Sequence, residues 1–131
     1  MNKNDKELSV KVCSAMYTLV KDRGYASSVD VLISIGVLSK ADYDNWRFGK
    51  VDYLERVCKV TLRKLLVINH EMRAYARQHN LKPSWTDYRK WGKGEKTRLR
   101  FSKSGDEKIE QSYATHYVRQ TTKPSVNPTL L

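Results

Sequence analysis

With 131 residues, 40% of them apolar and 30% charged, the chain has the composition of one modest globular domain, not of a disordered or fibrous segment. Twenty-five Lys and Arg stand against 14 Asp and Glu, a formal net charge of +11 that favours polyanionic partners: DNA, RNA or an anionic surface. Two distant cysteines, Cys13 and Cys58, exclude a disulfide framework and a cysteine-built zinc site, and read as reduced core residues of a cytoplasmic protein.

In chain order, Leu8, Val12, Ala15, Met16, Leu19 and Val20 recur at helical spacing and predict a first helix over 5–21, stopped by Gly24. Its apolar stretch, 8–20, is interrupted by Lys11 and lacks a small-residue cleavage site, so neither a membrane span nor a signal peptide is expected. Ser27 with Asp30, and Ser39 with Asp42, each form an S-x-x-D capping pattern, predicting two short helices separated by Gly36. Two short helices around a glycine turn have the outline of a helix-turn-helix, although Asp42 and Asp44 would bring carboxylates towards phosphates.

Beyond Gly49, residues 51–79 carry a seam of Val51, Leu54, Cys58, Thr61, Leu65, Ile68, Met72, Tyr75 and His79 in alternating steps of three and four. This predicts one long helix of about 44 Å at 1.5 Å per residue. Val57, Leu62 and Leu66 widen the stripe, which favours packing within the domain. A homodimer through Val51, Leu54, Leu65, Ile68 and Met72 is the alternative. Arg56, Arg63, His70 and Arg77 lie seven apart on another face, with Lys59 and Arg73 beside them; they form either a phosphate track or a solvated face.

Asn80 and Pro83 close that helix. Residues 84–90 are expected to make a short helical turn that puts Trp85, Tyr88 and Trp91 on one side. Gly92 and Gly94 make a bend, and residues 97–102 alternate as a half-exposed strand. Residues 108–118 suit either a helix, from the spacing of Ile109, Tyr113 and Tyr117, or a strand, from their Tyr, Thr and Val content. The strand is preferred, paired with 97–102. The expected fold is thus mainly α (α+β): a compact helical domain over 1–123 with a C-terminal two-stranded β element, followed by an extended tail, 124–131.

The functional signal concentrates in residues 82–103. That stretch holds eight cations, Lys82, Arg89, Lys90, Lys93, Lys96, Arg98, Arg100 and Lys103, against Asp87 and Glu95, for a local charge of +6. Trp85, Tyr88, Trp91 and Phe101 are interleaved with them. Cations neutralise phosphates and aromatic faces stack on bases, so the expectation is a non-catalytic nucleic-acid-binding protein, for DNA or RNA. Its candidate contacts are Trp85, Arg89, Lys90, Trp91, Lys93, Lys96, Arg98, Arg100 and Lys103.

Catalytic and cofactor patterns are incomplete. Gly94 is followed by Glu95, so the phosphate-loop pattern G-x-x-x-x-G-K-[ST] is absent. His70-Glu71 opens like the zinc motif H-E-x-x-H, but Ala occupies position 74. Lys103-Ser104-Gly105 has no S-x-x-K partner motif elsewhere. No cofactor and no metal site is expected. The remaining enzymatic alternative is a small metal-dependent nuclease built on Asp106, Glu107, Glu110 and His116.

Overall fold

The computed structural model describes residues 2–120. The order is α1 (Lys3–Arg23), β1 (Tyr25–Ser27), α2 (Ser28–Ser34), α3 (Lys40–Arg47), a single 3₁₀ turn (Leu54–Val57), α4 (Leu62–Gln78), β2 (Lys82–Trp85), α5 (Glu107–Ala114) and β3 (Thr115–Val118). The fold is mainly helical, as the sequence implies. The predicted tail, 124–131, and residues 121–123 of the predicted domain lie outside the described residues.

Helix starts follow side-chain chemistry. Ser27, Ser39, Thr61 and Asp106 each accept a hydrogen bond from the backbone N–H three residues on, satisfying a donor that the first helical turn leaves free. Gly24 ends α1 at φ +84°, a left-handed conformation that costs glycine little. Asn80, at φ +56°, closes α4; asparagine tolerates that region better than most residues.

The core lies between α1 and α4, which pack on each other more extensively than any other pair of elements. Val12 and Met16 of α1 and Leu65, Ile68 and Met72 of α4 are buried in it. One polar pair lies there too: Ser28 Oγ donates to Asn69 Oδ1 at 2.9 Å, so Asn69 is accommodated inside a continuous α4 and does not break it. Trp46 of α3 is fully buried and donates its indole N–H to the Arg100 carbonyl at 2.8 Å. Its ring meets Tyr88 and Phe101 at centroid distances of 5.7 and 5.0 Å. Phe101 in turn stacks on Tyr113 of α5 at 5.5 Å.

Three expectations are corrected. The predicted long helix is interrupted: residues 58–61 are not helical, and α4 has 17 residues, about 26 Å. The backbone N–H groups of this region are used elsewhere. Leu54 N–H donates to the Arg100 carbonyl, Glu55 N–H to that of Phe101 and Lys59 N–H to that of Val37. Thr61, counted as a seam residue, is instead the N-cap of α4. Of the five residues named for a dimer seam, Leu54, Leu65, Ile68 and Met72 are buried in the chain's own core and Val51 packs against it.

The β element is also different. The sheet has three antiparallel strands in the order β1-β3-β2. Tyr25 faces Val118 on one side of β3, while Lys82 faces Val118 and Trp85 faces Thr115 on the other. Residues 108–118 are both of the things the sequence suggested, helix to Ala114 and strand from Thr115. The partner of β3 is not 97–102, which forms no regular strand. That stretch meets residues 88–90 through one isolated bridge, Arg89 with Arg98, flanked by the bonds Lys90 N–H to Thr97 O and Leu99 N–H to Tyr88 O. The third correction concerns 84–90: β2 ends at Trp85, and no helical turn follows it.

Candidate nucleic-acid interface

Because 84–90 contains no helical turn, Trp85, Tyr88 and Trp91 do not share a helical side. Tyr88 is buried against Trp46 and Phe101, and burial raises its phenol pKa. Trp91 is committed to the end of α3. Its N–H donates to the Arg47 carbonyl at 2.7 Å, its ring meets Tyr43 and Phe48 edge-on, and the Arg47 guanidinium lies 4.5 Å from its centroid. Trp85 is different. It stands 49% exposed at the end of edge strand β2, and among the described residues its one cation is the Arg98 guanidinium, 5.4 Å over the ring. Both tryptophans nominated for stacking are exposed, Trp85 at 49% and Trp91 at 37%, but Trp91 has two aromatic rings and a guanidinium against it, whereas Trp85 has the guanidinium alone among the described residues.

The cations divide in the same way. Asp87 collects two of them, accepting from Arg89 Nε at 2.6 Å and Arg98 Nε at 3.0 Å. The Arg89 hydrogen bond, with the charges of both arginines, holds the Asp87 carboxyl below its usual range. Arg89 also donates to the Lys96 carbonyl. Arg100 is spent on its own loop. It donates to the carbonyls of Ser102 and Lys103 and lies over Tyr53. Arg98 and Arg100 therefore do not form the matched row that an ideal strand would have given.

Lys93, Lys96 and Lys103 are exposed, and Lys90 partly so; among the described residues none of the four side chains is paired with a carboxylate. Lys90 lies across Gly49, where an added Cβ would come within 3.1 Å of its Cε. Gly92 and Gly94, both at φ +94°, shape the bend that presents Lys93.

Two acids fix the far end of the stretch. Glu110 of α5 accepts from Phe101 N–H at 2.9 Å, Ser102 N–H at 2.6 Å and Ser102 Oγ at 2.6 Å. Glu55 accepts from Lys103 N–H at 3.0 Å and from the Tyr113 hydroxyl at 2.8 Å. The sequence nominated Glu110 for metal chemistry and passed over Glu55. No spacing signal marks either as an anchor, because their partners are backbone N–H groups and hydroxyls brought near only by the fold. Asp106 caps α5, and Glu107 is exposed. His116 is on β3, stacked on Tyr25, with Nε2 3.0 Å from the Tyr88 hydroxyl; burial lowers its pKa. Among the described residues no three His, Cys, Asp or Glu side chains are grouped to hold a metal ion, so the nuclease candidates do not converge.

Two concavities adjoin the stretch. One, about 460 Å³, is lined by Trp85, Asp87, Arg98, Leu99, Phe101 and Glu107, among others. The other, about 570 Å³, lies between α4, α5 and the sheet; Arg73, Arg77 and Lys108 line it with no carboxylate. Arg73 is held there by a 2.8 Å bond to Ser112 Oγ. Elsewhere on the predicted phosphate track, Arg63 is tied by two hydrogen bonds to Asp5 at the start of α1, and Arg56 pairs with Asp52.

Cys13 and Cys58 are free thiols packed against the core, and burial pushes the Cys58 thiol up to about 12. No helix among the described residues is long and apolar enough to cross a membrane. Comparison of the chain with protein-family models, with curated proteins and with solved structures returns no match.

Proposed function

We propose that the protein binds nucleic acid without catalysing its chemistry, through the segment 82–103. One observation carries this reading: Lys93, Lys96 and Lys103 are exposed without a carboxylate partner among the described residues, on the same segment as the half-exposed ring of Trp85. Lysines that serve stability are usually paired or packed along their stems. These are neither, and they fall in the most basic 22 residues of a +11 chain. The cations of the α4–α5 groove, Arg73, Arg77 and Lys108, extend the supply of phosphate partners.

The test is a salt series. Binding of an oligonucleotide should weaken linearly in log Kd with log salt. Changing Lys93 and Lys96 to Ala should reduce the slope by up to about two, one per phosphate released, with little dependence on base sequence. An unchanged slope and affinity would remove these lysines from the interface. No binding at low salt by the unaltered protein would overturn the reading altogether.

A further inference from the structure

We propose that the concavity beside Trp85 receives one unstacked base of a single-stranded nucleic acid, an inference that rests on the nucleic-acid reading above. The cavity, about 460 Å³, falls within the size range of pockets that take small planar ligands. Its chemistry is graded. Trp85 supplies a half-exposed aromatic wall at the end of β2. Leu99, Phe101 and Ala114 supply an apolar lining. Arg98, bridged to Arg89 and held by Asp87, places a planar cation over the indole. An aromatic wall with a guanidinium beside it is suited to a base face.

The acids of the pocket argue that a base enters it and a phosphate does not. Glu107 lines the cavity, and its carboxylate has no hydrogen-bond or ion-pair partner among the described residues. The other two carboxylates of the lining are already engaged, Asp87 by Arg89 and Arg98 and Glu110 by Phe101 and Ser102, so Glu107 is the free one, and a free carboxylate repels phosphate oxygens. It accepts readily from the exocyclic amino groups of cytosine, adenine or guanine. The lysines outside the pocket, Lys93, Lys96 and Lys103, then meet the backbone on either side of the inserted base. A duplex base cannot enter, because both its faces and its pairing edge are already occupied. The site therefore selects unpaired strands, bulges or loops.

The experiment compares three probes of equal length by fluorescence anisotropy: a single-stranded oligo-dC, a single-stranded oligo-dT and a perfect duplex. The unaltered protein should bind oligo-dC most tightly. Trp85→Ala should weaken oligo-dC about tenfold or more and leave duplex binding within about twofold, with Trp85→Phe restoring most of the loss. Glu107→Gln should bring oligo-dC and oligo-dT closer together. Both positions are exposed, so the melting temperatures of the variants should match that of the unaltered protein, which checks that they remain folded. Single-strand binding that survives Trp85→Ala overturns the pocket while leaving the nucleic-acid reading intact. An equal loss on duplex and single strand also overturns it, since Trp85 would then touch only the shared backbone. Absence of binding to all three probes by the unaltered protein overturns both proposals.

Discussion

Replacing Glu110 by Gln isolates the anchor that holds the basic segment to α5. The carboxylate takes three donors at once, Phe101 N–H, Ser102 N–H and Ser102 Oγ, at 2.6 to 2.9 Å. Phe101 and Ser102 are both buried, so water cannot replace a lost acceptor cheaply. A hydrogen bond to a charged group contributes about 1.5–3 kcal/mol, and bonds sharing one acceptor group do not add in full. Glutamine keeps one oxygen but turns an N–H₂ donor towards groups that are themselves donors. The expected destabilisation is about 2–3 kcal/mol, rising to about 3–5 kcal/mol for Glu110→Ala, which leaves all three donors unmet. With a urea m-value of about 1–3 kcal/mol/M, the Gln variant should lower the unfolding midpoint by about 1–2 M. Glu107→Gln, one turn earlier on the same helix, is the control. It is exposed and should stay within about 0.5 kcal/mol. Loss of less than about 0.5 kcal/mol in Glu110→Gln would show that these contacts do not hold the segment. A similar loss in Glu107→Gln would show that the helix, not the anchor, is responsible.

Two further outcomes follow from the core and from the sheet. Leu65, almost fully buried between α4 and α1, should cost roughly 2–5 kcal/mol when changed to Ala, measured by urea unfolding; a loss below about 1 kcal/mol would mean that the α1–α4 contact is not the centre of the core. His116 has a pKa lowered by burial, an effect strengthened by Arg23 and opposed by Asp30, so the unfolded chain binds its proton more readily than the folded one. Its contribution to stability is complete above the unfolded value near 6.5 and is lost as pH falls towards the lower folded value. Stability measured from pH 7.5 to 5 should therefore fall less steeply in His116→Gln than in the unaltered protein, and equal slopes would refute the assignment.

The parts of the fold that could be read from the sequence are those fixed by neighbours in the chain. The apolar spacing of α1, its stop at Gly24 and the serine caps of α2 and α3 depend on residues within four positions, and all stand. The failures involve distant partners. β1 is three residues long, too short to show a period, and its partner β3 lies some ninety residues further on. The heptad seam continued through 58–61 because Cys58 and Thr61 keep the spacing. What interrupts it is hydrogen bonding of residues 54–59 to Arg100, Phe101 and Val37, which no local pattern records. Residues 108–118 looked ambiguous because they contain a helix and a strand joined without a loop.

The site separates along the same line. Its charge and aromatic content are properties of composition and were legible. The division of labour within it is not, since it depends on which cation finds a carboxylate or a carbonyl in space. Arg89, Arg98 and Arg100 carry the same formal charge as Lys93, Lys96 and Lys103, yet the arginines are bound to Asp87 and to loop carbonyls while the lysines are not. This follows from their chemistry. A guanidinium offers a rigid fork of five donors and can bridge protein groups while keeping its charge, whereas an ammonium on a flexible stem remains hydrated. The arginines thus shape the segment around Asp87 and the 100–103 loop, and the lysines supply mobile charge outside that frame. Changes at the lysines should accordingly act on affinity and its salt dependence without touching stability, whereas a change at Arg100 should act on folding and binding together.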